Sequence, residues 1–155
     1  MTSVVGVNTL AFLQSAGCEV CGPSVCYLGA PQQRMGGWLN GEFVAALPDM
    51  VSDLMLMSRA YARERGFYIN DDPGYQVLFE YGDRSRAYTT GLVEGVEWVF
   101  GDLDGNDFGR TQNCSFLVVD DLTCDVIFSD DFLVHTNALE EMAHCELVFR
   151  MSGCL

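Results

Sequence analysis

With 155 residues, 49% of them apolar and spread along the chain, and 19% charged, the sequence is that of one folded domain (residues 1–155) with one core, not of a disordered tail. Its 22 carboxylates against eight basic residues give a formal charge of −14, a field that repels nucleic-acid phosphates and anionic lipid and argues against direct binding of either. No apolar run approaches the roughly 18 residues of a membrane span, and no basic stretch precedes the first apolar residues, so an intracellular protein, cytoplasmic or nuclear, is expected.

Residues 9–16 read as a short helix capped by Asn8 and stopped by Gly17, followed by a cysteine-bearing loop. A strand is expected over residues 24–28. Residues 37–44 read as a β-hairpin, because Asn40-Gly41 accepts the positive φ angles of a type I′ turn. The next element, residues 48–65, reads as an amphipathic helix. Leu47, Val51, Leu54, Met55, Ser58, Tyr61 and Ala62 recur at three- and four-residue intervals; Pro48 suits a first turn, and Gly66 a stop.

The period then falls to two. Tyr75, Val77, Phe79 and Tyr81 alternate with other residues, Gly82-Asp83 turns the chain, and residues 86–93 return it. Val96, Trp98 and Phe100 alternate again before the polar stretch GDLDGNDFG. CSFLVV (114–119) reads as a buried strand, Asp120-Asp121 as a turn, and residues 126–128 as another strand. Asn137 and Glu140 have the spacing of a capping box opening a helix to about His144, with an edge strand over 146–151. The expected fold class is therefore α+β: a mainly antiparallel, meandering sheet covered by the 48–65 helix, with short helices at both ends.

Few groups offer chemistry. The seven cysteines are odd in number and no export segment precedes them, so free thiols are the first reading. The alternative uses Cys18, Cys21 and Cys26, whose CxxC spacing supplies half of a tetrahedral zinc site or a reactive-cysteine cluster. No second CxxC or HxxxH follows; Cys145, His144 or His135 would have to complete the site through the fold. Asp102, Asp104 and Asn106 mimic the opening of a calcium loop. Asp107 then stands where Gly is needed and Asn113 where a bidentate Glu is needed, so a surface turn is the better account. No phosphate loop, dinucleotide fingerprint, zinc-protease or serine-hydrolase motif occurs, and no enzyme or cofactor is expected.

All eight basic residues are arginine, although average composition would place about ten lysines in a chain of this length. Arginine keeps the charge without an acylable amine. Base composition explains this, as does a second alternative: a ubiquitin-ligase-associated adaptor that avoids its own ubiquitination by lacking lysine.

The order of features resembles the SUKH superfamily, which includes bacterial immunity proteins, a fungal cell-wall regulator and herpesvirus proteins. The resemblance rests on Leu47-Pro48 opening a helix, Gly105-Asn106 in a turn, Phe116 to Asp120 with the following Val126-Ile127-Phe128, and Leu139-Glu140-Glu141. Glu64-Arg65-Gly66-Phe67 stands where that pattern has an asparagine-glycine pair. The resemblance implies a protein-binding module without catalysis, an immunity factor or a viral antagonist of host defence. Together with the charge, it leads to the expected function: an acidic inhibitor or adaptor for a basic or nucleic-acid-binding protein. Asp102, Asp104, Asp107, Asp120, Asp121, Asp130 and Asp131 would form the contact rim.

Overall fold

Uninterrupted apolar runs such as 116–119 and 126–128 are the pattern of strands buried on both faces. The computed structural model describes residues 24–25, 34–101 and 107–138, and within them these runs lie in such strands. The strands are β1 (Ser24–Val25), β2 (Met35–Leu39), β3 (Glu42–Pro48), β4 (Leu56–Ser58), β5 (Leu78–Tyr81), β6 (Arg86–Tyr88), β7 (Gly91–Gly101), β8 (Asp107–Val119) and β9 (Val126–Phe128). Two short helices, α1 (Arg59–Glu64) and α2 (Asp130–His135), and a 3₁₀ turn at Pro73–Tyr75 complete the described elements.

Six strands close a barrel in the order β2-β3-β9-β4-β8-β7, with β7 pairing back onto β2. β9 lies between β3 and β4, parallel to the first and antiparallel to the second. The connection from β3 to β4 must therefore pass over the end of β9, and two bonds hold it there. The Asp49 amide donates to the Phe128 carbonyl at 3.0 Å, and the Asp130 amide to the Ser52 carbonyl at 2.9 Å. β5 and β6 form a hairpin outside the barrel, with β1 parallel to β5 on its other side.

Alternation divides the apolar residues between two cores. Met57, Val96, Trp98, Phe100, Phe116, Val118, Val126 and Phe128 belong to one, where Phe128 stacks on Phe132 at 4.5 Å and meets Trp98 edge-on at 4.7 Å. Leu47, Leu56, Phe79, Leu92, Leu117, Val119, Leu122 and Ile127 form the other, the outer core, which the β5–β6 hairpin helps to cover through Tyr81 and Ala87; the first is the inner core. Successive residues at 56–57 of β4, 116–119 of β8 and 126–128 of β9 alternate between the two, so these runs are apolar throughout.

The expected α+β sheet covered by a helix is overturned: the architecture is a closed barrel of strands with two short helices. Only residues 59–64 of the expected 48–65 helix are helical, and Leu47-Pro48 closes β3 instead of opening a helix. The three- and four-residue spacing arises because Leu47, Leu54 and Leu56 enter the outer core while Met55, Met57, Tyr61 and Ala62 enter the inner one. Two-sided burial imitates helical periodicity over so short a span. Ser58 caps the true helix, accepting the Tyr61 amide at 3.1 Å. The second helix begins at Asp130, with Ser129 as its cap. Asn137 follows it at φ 56°.

The hairpin at Asn40-Gly41 forms as expected, with φ 47° and 82° and strands in the register Trp38–Phe43. The expected 75–81 strand is shorter, its first residue lying in the 3₁₀ turn, and the 86–93 strand is divided into β6 and the start of β7. The helices expected over 9–16 and from 137 to 144, apart from Asn137 and Ala138, and the strand over 146–151 lie outside the described residues. No helix among those described is long and apolar enough to cross a membrane.

Candidate functional site

The β5–β6 hairpin covers only part of the outer core, and an open groove of about 620 Å³ remains between it and the turn that follows β8. Tyr81, Asp83, Arg86 and Tyr88 line the hairpin side, Thr90 and Val119 the base, and Asp120, Asp121, Leu122 and Thr123 the opposite wall.

Hairpin register decides what the first wall offers. The Tyr81 amide donates to the Ser85 carbonyl at 2.8 Å and the Thr89 amide to the Val77 carbonyl at 2.9 Å. Bonded pairs alternate in an antiparallel ladder, so Ala87 also turns its backbone toward β5, and Arg86 and Tyr88 turn theirs outward. β6 is the last strand of its sheet, leaving that outward edge without a strand partner among the described residues. Asp83 shapes the tip by accepting both the Ser85 amide (2.8 Å) and the Ser85 hydroxyl (2.5 Å), contacts that hold its carboxyl below the usual carboxylate range. Arg86 pairs with Glu80 across the hairpin at 3.3 Å.

The opposite wall is anchored from behind. Arg59, the first residue of α1, donates from Nε to Asp120 Oδ1 at 2.6 Å and from Nη2 to Thr90 Oγ1 at 2.7 Å, the Thr90 carbonyl at 3.1 Å and Asp71 at 3.4 Å. Thr90 in turn donates from its hydroxyl to Asp120 Oδ1 at 2.8 Å. The bonds from Arg59 first, then from Thr90, hold the Asp120 carboxyl below its ordinary range.

Of the seven expected contact carboxylates, Asp120 and Asp121 meet at the groove. Asp130 and Asp131 lie in the first turn of α2, where they complement the helix N-terminus. Asp107 opens β8, and Asp102 and Asp104 lie outside the described residues. Cys18, Cys21 and Cys26 likewise lie outside them. Among the described residues no group of three His, Cys, Asp or Glu could hold a metal, and His135 closes α2. Cys114 is buried and desolvation pushes its thiol up to about 12, the condition of an inert structural cysteine.

Sequence reading missed Arg59, Thr90 and the β6 edge. Arg59 falls inside the expected 48–65 helix, whereas it begins a short one. The ion pairs it makes join residues 12 and 61 positions away and leave no local signature. It also missed Asp49, 7% exposed, whose Oδ1 accepts the Val51 amide at 3.0 Å across a tight turn with Met50 and Val51 exposed at its tip.

No family model and no curated protein matches the chain. Among solved structures it is similar to the retroviral protease-like domain of Ddi1 from Leishmania major, with 16% identity over 70% of this chain and 76% of that one and a TM-score of 0.44. A likeness of that degree carries no argument about activity.

Proposed function

We propose that the protein is a non-enzymatic binding module that holds an extended, positively charged segment of a partner protein in the groove between β6 and the 120–123 turn. The observation that carries this reading is the pairing, among the described residues, of a strand edge without a strand partner and an acidic opposite wall. The outward backbone groups of Arg86 and Tyr88 can add one more strand, the mode in which main-chain bonds give affinity and alternate side chains give selectivity. Tyr88 and Leu122 give apolar contact, and Asp83 and Asp121 favour a cation. The charge of −14 steers a basic partner toward the protein in a salt-dependent way.

A labelled peptide of alternating arginine and valine tests this, with a glutamate–valine peptide as its counterpart. The arginine peptide should bind more weakly as salt rises and should slow amide exchange at Arg86 and Tyr88. Equal binding of both peptides, or of neither, would sink the proposal.

A further inference from the structure

We propose that Arg59 is the positioning residue that sets the groove's charge selectivity, withdrawing Asp120 from its occupant and leaving Asp121 and Asp83 to meet the occupant's cations. This rests on the groove being the binding site. Three carboxylates line the groove, and they are not equivalent. Asp120 Oδ1 already receives the Arg59 guanidinium at 2.6 Å and the Thr90 hydroxyl at 2.8 Å, so an incoming cation would have to compete with both. Arg86, the arginine of the lining, is engaged by Glu80, which limits how far it offsets the field. Asp121 is exposed and has no ion pair among the described residues. Asp83 spends Oδ1 on Ser85 but has no ion pair among the described residues. The two open carboxylates lie on opposite walls, Asp83 at the hairpin tip and Asp121 on the turn.

Arg59 reaches this position through its planar fork. Nε serves Asp120 while Nη2 serves both the hydroxyl and the carbonyl of Thr90, tying the turn after β8 to the entry of β7. A lysine has one ammonium and cannot hold that set of partners together. Removing the fork would release a carboxylate into the groove and loosen the wall that carries its neighbour Asp121.

The test is a mutant cycle on the full chain, read by the affinity of the arginine–valine peptide at two salt concentrations. In the wild-type background Asp121→Asn should weaken binding about fivefold and Asp120→Asn less than about twofold, the scale of an exposed charge pair and of one already satisfied. In the Arg59→Met background Asp120→Asn should now weaken binding about fivefold, and the salt dependence should steepen relative to wild type. An Asp120→Asn effect of the same size in both backgrounds would overturn the proposal, because a merely structural arginine would not change which carboxylate the peptide reads. Should Arg59→Met fail to fold, Arg59→Lys carries the same cycle and should give an intermediate coupling. If the wild-type chain binds no peptide at all, the groove reading itself falls and this inference with it, an outcome distinct from binding without coupling.

Discussion

Asp120 is held by two donors, and its carboxyl lies below the ordinary range, which fixes the sign of a stability change. A carboxylate with a depressed folded-state value contributes stability above its unfolded value, about 3.9, and loses that contribution as pH falls through the folded one. Urea unfolding should therefore show wild type more stable than Asp120→Asn at neutral pH, with the difference closing as pH falls below the ordinary carboxylate range. A difference independent of pH would mean that the carboxylate's charge is not what the turn depends on. Cys114 gives a second check at this scale: with its thiol raised to about 12 by burial, it should resist alkylation at pH 8 in the folded protein and react once urea unfolds it. Alkylation at equal rates in both states would contradict the placement of its strand.

Among the elements, the barrel closure between β2 and β7 is closely packed at Gly37. At Gly37 a Cβ would stand 2.3 Å from the Trp98 ring and 2.6 Å from the Val99 carbonyl, so the ring or the strand must move. Gly41 differs: φ 82° strains any other residue, but nothing lies within 4 Å. Gly37→Ala should cost about 1–3 kcal/mol through overpacking at the seam. Gly41→Ala should cost about 1–2 kcal/mol through backbone strain alone, leaving the near-ultraviolet signal of Trp98 unchanged. A shift in that signal from Gly41→Ala would place the strain elsewhere.

The same elements show what was legible beforehand. Asn40-Gly41 and the run Val126-Ile127-Phe128 could be read because the information is local, a turn dipeptide in one case and a doubly buried strand in the other. The segment 48–58 could not. Its apolar residues serve two cores, and β9, which makes β4 a strand, arrives some seventy residues later. Half of the groove was legible on the same grounds: Asp120-Asp121 announced a turn, whereas the edge of β6 depends on hairpin register and Arg59 on pairs distant in sequence.

For the molecule as a whole, a barrel closed on itself leaves no open edge of its own, and among the described residues the β6 edge of the hairpin sheet outside it has no strand partner. β6 and the acidic 120–123 turn line one groove, so under the proposed function a basic segment laid along β6 would satisfy main chain and charge together. In that reading the charge of −14 would assist the encounter, while a few residues would define the seat. Strand pairing makes a demand that charge attraction does not. Only every second amide of the bound segment bonds to β6, because bonded and non-bonded positions alternate along a strand. N-methylating the arginine–valine peptide at successive positions measures this directly. Affinity should fall about tenfold or more at alternate positions and change little at those between, consistent with the loss of a main-chain bond from an otherwise closed contact. A uniform effect along the peptide, with no two-residue period, would contradict strand addition at β6.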